Sequence, residues 1–397
     1  MVPWLRNKYN QTFTSEKYRA FLQELDNNYP GAIQFRLAET PVFVPAHFES
    51  KMLEACEEII DFILDPQFLS LTQKSIPAAD KVPGAYGYPQ MLVFDFGICS
   101  TDDGSLVPML IEMQGFPSLY AFQVFFPDIM RKHLLVPDNF SQYAGTMNAE
   151  EYSRMLKSVV LGAHDPENVV LLEIKPHEQK TKIDFYITRD MTGIQPVCLT
   201  ELIREGKDLF YTLNGKKTKI NRIYNRVIFD ELHGTSSLNS AVDIREELNV
   251  EWVPHPDWFY RISKYTLPFI SNAYVPETYF LNEVKELPGI LSDYVLKPLF
   301  SFAGQGVVID VNQADLDNIQ DPSNWILQKK VNYADVIDTP TGAAKAEIRI
   351  MYLWEEGAPR PKPAINLARL SKGKMIGTRY NKDKDWVGGS VAFFEKL

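Results

Sequence analysis

The stretch YVLKPLFSFAGQGVVID, residues 294–310, ends an apolar strand pattern on a lysine, then passes through a loop of small residues into a second apolar strand. Lys297 loses hydration in such a place unless an anion compensates it, and Gly304 and Gly306 let backbone N–H groups come close to that anion. The chemistry this pattern serves is phosphate binding. Taken alone, it is equally an edge-strand lysine before a glycine hairpin. No G-x-x-x-x-G-K-[ST] loop occurs, and no third glycine follows to make a dinucleotide fingerprint.

Other residues could act on the same phosphate. In LIEMQGFPS, Glu112 and Gln114 stand two apart on a strand and therefore share a face. A carboxylate beside an amide oxygen is hard-oxygen ligation, suited to the Mg²⁺ that accompanies nucleotide phosphates. Asp95, in VFDFG, is a third candidate metal ligand, since a lone carboxylate in an apolar run is costly without a partner. The alternative for this trio is a solvated strand face. WILQKKV (325–331) carries Gln328 and Lys329 in a strand whose backbone could pair with the edge of an adenine, or which is purely structural. EIRIMYLW and INLARLSKG each interrupt apolar residues with an arginine, Arg349 and Arg369. Two guanidinium groups aimed into one cleft suit a transferring phosphoryl group; single buried arginines otherwise make structural salt bridges.

These residues need a scaffold. Three- and four-residue apolar spacing predicts helices over 15–28 and 48–64. Residues 90–99 and 106–116 read as a hairpin turning at Gly104, which sets Asp95 and Glu112 on neighbouring strands. From 168–175 through 183–191, 195–203 and 218–229, strand and helix patterns alternate as in a parallel α/β unit. Residues 255–270 read as one helix with Pro256 near its start, and strands follow at 294–300, 306–310, 325–331, 346–354, 363–371 and 374–381. A linker is expected at 236–243.

Composition bounds the rest. The 397 residues, 45% hydrophobic and 23% charged, can bury a large core in two or three domains. A net charge of −10, with no run of lysine or arginine longer than two, argues against nucleic acid as a main partner. Cys56, Cys99 and Cys198 lie far apart, offer no metal-ligand spacing or disulfide framework, and read as core filling. No apolar run is long enough to span a bilayer and MVPWLRNKYNQTF has no signal-peptide core, so the expectation is a cytoplasmic protein with no membrane partner.

Taken together, these residues resemble the ATP-grasp superfamily, in particular the circularly permuted branch that includes glutathionylspermidine synthetase and the eukaryotic type of glutathione synthetase. In that branch the metal-binding strand precedes the lysine strands, as it does here. LIEMQGFPS is similar to the family's LLEFNADTP, which implies Glu112 and Gln114 as Mg²⁺ ligands, with Asp95 matching the aspartate of the preceding strand. KPLFSFAGQG is similar to KP-x-x-GREG, which implies Lys297 as the nucleotide lysine and Ser301 to Gly306, with Gly304 between them, as the phosphate loop. Lys264 in RISKYTLP falls where the family has an earlier ATP lysine, and ARLSKGKMIGTRYN resembles a strand pair that would bring Arg369 to the site.

The resemblance implies a mixed α+β and α/β fold of the circularly permuted ATP-grasp type, with nucleotide held between two β-sheets and a parallel α/β substrate-side domain. The implied division is a helical region over 1–84, the metal-binding strands over 85–150, the α/β domain over 151–240 and the nucleotide-binding region over 241–397. The implied activity is ATP- and Mg²⁺-dependent joining of a carboxylate to an amine through an acyl phosphate, with Lys264, Lys297, Ser301, Gly304, Gly306, Gln328 and Lys329 on the nucleotide and Arg349 and Arg369 in catalysis. The sequence departs from the family where Gln114 replaces asparagine, where Phe302 and Ala303 replace an Arg-Glu pair, and where Val93 replaces an arginine. Glutathione and spermidine are therefore not assumed as substrates. A nucleotide-binding protein without ligase chemistry and a partner-binding protein remain the alternatives. Tyr224 to Arg226, and Arg36 with Glu39, are further candidates for a substrate pocket or for fold contacts.

Overall fold

The computed structural model describes residues 1–84, 87–234, 242–286, 289–300, 305–373, 376, 381 and 383–396. The two N-terminal helices expected from apolar spacing form as Ser15–Asn28, capped by Thr14 accepting from the Lys17 N–H, and Ala46–Leu64, which buries Met52, Cys56, Ile59 and Ile63 on one face. The N-terminal segment is not wholly helical. Its strand Val42–Val44 runs parallel to Ala392–Glu395 and ties the two ends of the chain together.

The predicted hairpin forms as Met91–Ser100 and Leu106–Gln114, turning at Gly104 with φ +81°. It completes a five-stranded antiparallel sheet in the order Gly388–Ser390, Lys362–Ser371, Lys345–Leu353, Met91–Ser100, Leu106–Gln114. Met91–Ser100 is buried over almost its whole length, which explains its near-continuous apolar run. Asp95 pairs with Glu112 while Phe96 pairs with Leu110, so Ile111 is an extra residue, a β-bulge that leaves its carbonyl out of the regular ladder.

A second sheet of four strands is wholly parallel, in the order Glu251–Val253, Arg222–Asn225, Val169–Glu173, Gln195–Cys198. The chain steps from Val169–Glu173 to one side and then to the other. The topological switch therefore lies between Val169–Glu173 and Arg222–Asn225, where the crevice at the strands' carboxyl ends is a natural ligand site. The segment 218–229 is part of the expected alternation of strand and helix patterns. It divides at Asn221: Lys216–Ile220 belongs to an antiparallel excursion with Ile203–Glu205 and Asp208–Leu213, and Arg222–Asn225 to the parallel sheet.

The third element is a small antiparallel sheet ordered Thr278–Phe280, Trp325–Lys329, Tyr294–Pro298, Val308–Ile309. One face packs Leu296, Leu327 and Tyr294 into a core of its own. The other turns Phe280 and Ile326 into the same core as Phe94, Phe96 and Ile348 of the five-stranded sheet. Residues 255–270 are not one helix but the short helix Trp258–Arg261 and the 3₁₀ segment Lys264–Phe269. The Ser263 side chain accepts from the Tyr265 N–H and restarts the chain there, and Pro268 offers no N–H to extend an α-helix. Most of the strand expected at 374–381 and most of the linker expected at 236–243 lie outside the described residues. The three cysteines are buried free thiols. Among the described residues, no helix is long and apolar enough to cross a membrane.

Candidate functional site

On the five-stranded sheet, strand register decides which side chains meet. Asp95 is opposite Glu112 on one side and Arg349 on the other, and Arg369 is opposite Glu347. Residues opposite each other, or two apart on a strand, share a face, so all five crowd one surface. Asp95 is fully buried. Its Oδ1 accepts from Arg349 Nε at 2.7 Å and its Oδ2 from Arg349 Nη2 at 2.6 Å, while Arg369 Nη2 lies 3.1 Å from Oδ2. Burial works to raise the Asp95 pKa, but the two guanidinium groups outweigh it and hold the carboxyl below its ordinary value.

The same Arg369 nitrogen lies 3.0 Å from Glu347, whose other oxygen accepts the Tyr333 hydroxyl. The Tyr333 ring covers Gly97, where an added Cβ would lie 2.8 Å from it. Burial raises the pKa of Glu347, opposed by Arg369. Arg369 is itself shifted up because Asp95 and Glu347 overcome its desolvation, yet its Nε is buried without a hydrogen-bond partner among the described residues.

Lys297 reaches this surface from the small sheet. Its Nζ donates to Gln328 Oε1 at 2.5 Å and to the bulged Ile111 carbonyl at 3.2 Å. The Gln328 amide donates onward to Thr278 Oγ1 at 3.2 Å, which turns its oxygen toward the lysine. Burial brings the Lys297 pKa down to about 8; Glu112 opposes the shift and Lys264 adds to it. Lys264, at the start of its 3₁₀ segment, is buried and lines a cavity with Glu112, Gln114, Phe116, Phe259 and Phe300. The wall needs glycine after Gln114. A Cβ on Gly115 would lie 2.8 Å from the Trp258 carbonyl, and the Gly115 N–H donates to the Ile262 carbonyl at 3.1 Å.

Behind Phe116, at the switch point of the parallel sheet, Arg226 lies with its guanidinium carbon 5.0 Å from the Phe116 ring centre. It is 7% exposed, and its Nε and Nη1 are buried without hydrogen-bond partners among the described residues. Glu173, ending the neighbouring strand, is also buried, and burial lifts its pKa to about 8 against the pull of Arg226.

The structure thus gathers Asp95, Glu112, Gln114, Lys264, Lys297, Gln328, Arg349 and Arg369 around one junction of two sheets. Lys329 is not among them. It is exposed on the opposite face from Gln328, its N–H is taken by the Glu277 carbonyl at 2.8 Å, and the Lys330 N–H is taken by the Asp293 carbonyl at 2.7 Å. The donors expected to read a base edge are already used. Gly306 is exposed at the base of its hairpin with φ +75°, where a Cβ would come within 3.0 Å of Pro298. Ser301 and Gly304, with Phe302 and Ala303, lie outside the described residues. Arg36 pairs with Glu39 and donates to the Val387 carbonyl at 2.9 Å, a fold contact. Sequence reasoning passed over Glu347 and Glu173. Glu347 stands two before Arg349, at the spacing that marked Glu112 and Gln114, and Glu173 is an acid closing an apolar strand.

Gln114 Nε2 donates to Glu112 Oε1 at 2.9 Å. Both oxygens of Asp95 face arginines, and no group of three or more His, Cys, Asp and Glu among the described residues is placed to hold a metal. This donor set does not make a resident metal cage. It fits a cation that brings its own phosphate oxygens and water and needs only one carboxylate and an amide from the protein.

The sequence matches no known protein-family profile and no curated protein. Among solved structures, the chain is similar to a glutathione synthetase-like effector from Globodera pallida in its apo form, with a TM-score of 0.58 over 98% of each chain at 10% identity. The likeness is one of fold. The chain has a mixed α and β architecture with the fold of that structure.

Proposed function

We propose that this protein is an ATP-dependent carboxylate–amine ligase of the circularly permuted ATP-grasp type. The observation that carries the reading is the meeting of Lys297, from one sheet, with the bulge beside Glu112, from the other, across 186 residues of sequence. A buried lysine whose pKa is brought down to about 8 is a site that gains from an anion.

In this reading Lys297 and Lys264 hold the phosphates of ATP, and Glu112 with Gln114 would hold Mg²⁺. When bound, that ion supplies charge neutralisation at the phosphates. A carboxylate oxygen of the substrate attacks the γ-phosphorus, the β–γ anhydride bond breaks and ADP leaves. The amine nitrogen then attacks the acyl carbon, the bond from that carbon to the phosphate oxygen breaks, phosphate leaves and a proton passes to solvent. Arg369, with a buried N–H lacking a partner, is the better cation for the transferring phosphoryl group, since Arg349 gives both arms of its fork to Asp95. Arg226 would take the carboxylate of a substrate that also carries an amine for Glu173, at the strand ends where parallel sheets bind ligands. Phe116, Phe259 and Phe300 exclude water from the acyl phosphate.

The test is ADP release over a panel of amino acids, short peptides and polyamines, repeated with Lys297→Ala and Glu112→Ala. Each substitution is expected to lower turnover at least about a hundredfold. Activity surviving both removes the site. A second reading, nucleotide binding without ligase chemistry, is favoured by the closed Arg349–Asp95 fork and by the buried Val93 beside Gln114. Thermal stabilisation by Mg·ATP without ADP release across the panel would select it.

A further inference from the structure

Asp95 occupies the position from which a third oxygen would reach a metal at Glu112, yet its surroundings are those of a counter-ion. We propose that Asp95 is a positioning residue that fixes Arg349 and Arg369, and that a divalent cation enters this site only with a nucleotide, on Glu112 and Gln114. This inference rests on the nucleotide-dependent reading above.

Three observations carry it. The carboxylate of Asp95 is fully buried and receives the Arg349 fork at 2.7 and 2.6 Å, with Arg369 at 3.1 Å on its second oxygen. A dication bound to either oxygen would lie beside a guanidinium group in a medium that screens like charges poorly. It would also draw the carboxylate away from Arg349, which is 7% exposed and would be left a buried charge without its counter-ion. Second, Arg369 is held from two sides through one nitrogen, by Asp95 and by Glu347, and Glu347 is fixed in turn by the Tyr333 hydroxyl. Removing Asp95 leaves Arg369, whose buried Nε has no hydrogen-bond partner among the described residues, on Glu347 alone. Third, Glu112, directly opposite Asp95 in the sheet, is half-buried, lines the cavity with Gln114 and Lys264, and accepts from the neutral Gln114 amide, while Lys297 and Arg369 act on it through charge. Of the two opposed carboxylates, one is enclosed by cations and the other faces the cleft.

The experiment uses Mn²⁺ as the probe, followed by its free-ion EPR signal on the full chain with and without a non-hydrolysable ATP analogue. Without nucleotide, Mn²⁺ is expected to stay free; with the analogue, one ion binds. Asp95→Asn should leave that Mn²⁺ affinity within about twofold, whereas Glu112→Gln should weaken it at least about tenfold. The positioning role adds a split that general loss of structure would not give: Asp95→Asn lowers kcat at least about tenfold while the KM for ATP stays within about twofold. Equal loss of Mn²⁺ in the two variants overturns the proposal, as does a tight Mn²⁺ site without nucleotide. Because Asp95→Asn strips a buried arginine of its partner and can block folding, a second measurement uses the unaltered protein: anomalous scattering from crystals with Mn²⁺ and the analogue. The ion is expected at Glu112, with Asp95 still on Arg349; a contact near the usual ~2.1 Å coordination distance to Asp95 overturns it. Failure of the analogue to bind at all sinks the nucleotide reading and this proposal with it, while a bound nucleotide with metal on Asp95 sinks this proposal alone.

Discussion

Two buried arginines, one on the five-stranded sheet and one at the end of the parallel sheet, are in opposite states. Arg349, in the middle of the five-stranded sheet, gives both arms of its fork to Asp95 at normal hydrogen-bond distances. Arg226, at the carboxyl end of the parallel sheet, has two buried nitrogens without a partner and a ring face of Phe116 instead. Both are 7% exposed, so burial does not separate them. Partnership does. A buried charge that is fully paired is part of the scaffold, and one left unpaired lowers stability until something from outside pairs with it. The difference assigns Arg349 to the architecture of the site and Arg226 to its ligand.

The largest expected effect breaks that contrast directly. Arg349→Met leaves the buried Asp95 carboxylate with Arg369 alone, and losing one partner of a buried ion pair costs about 3–5 kcal/mol. The midpoint of thermal unfolding should fall by many degrees, or the chain should lose soluble expression. Arg226→Met removes a cation that acts on the buried Glu173 and Asp184 carboxyls only through charge, and both acids are pushed by burial toward the neutral form, so the destabilisation should be smaller than that of Arg349→Met. Its loss should show in the acid substrate instead, with KM raised at least about tenfold. Equal destabilisation by both substitutions, read by calorimetry, would erase the distinction.

What the sequence discloses and what it hides divide along the same line. The periodicity of the helices and of the hairpin over 91–114 was legible because each is a local pattern of apolar spacing. Lys297, Glu112 and Asp95 stood out because a charge in an apolar run is costly and so needs a reason. That Asp95 belongs to Arg349 and Arg369 was not legible, because the pairing depends on strand order across more than 250 residues. Residues 255–270 were misread as one helix because their apolar spacing hides the local break at Ser263, where a hydroxyl caps a new turn. That the Lys329 N–H is taken by the Glu277 carbonyl was not legible for a related reason: only the neighbouring strands show it.

A smaller effect sharpens the comparison at the parallel sheet. The folded-state pKa of Glu173, about 8, lies above its ordinary 4.5, so between those values the native chain holds a proton that the unfolded chain has released. Its contribution to stability is therefore full below about pH 4.5 and is lost as pH rises through about 8. Glu173→Gln, which stays neutral, should match the unaltered protein near pH 5 and exceed it in unfolding temperature near pH 8.5. A difference that is flat across this range would show that Arg226 already keeps the carboxylate charged.

The mildest expected effect belongs to Lys297, which stands between the two arginines in kind. It has two acceptors, Gln328 and the Ile111 carbonyl, but neither carries a formal charge. Burial accordingly brings its pKa from 10.5 to about 8. A triphosphate binds the charged form and raises the pKa again in the complex, so affinity for ATP should be level below about pH 8. It should then weaken with rising pH by up to about tenfold per unit, the limit for one proton. Titration calorimetry of a non-hydrolysable analogue between pH 7 and 9 would measure the slope. Lys297→Arg, whose guanidinium stays charged throughout, should flatten that slope even where it weakens binding overall, because the longer planar head fits the Gln328 and Ile111 acceptors differently. A slope that persists in the arginine variant would move the titrating group elsewhere in the cleft and leave Lys297 as a permanently charged strut between the two sheets.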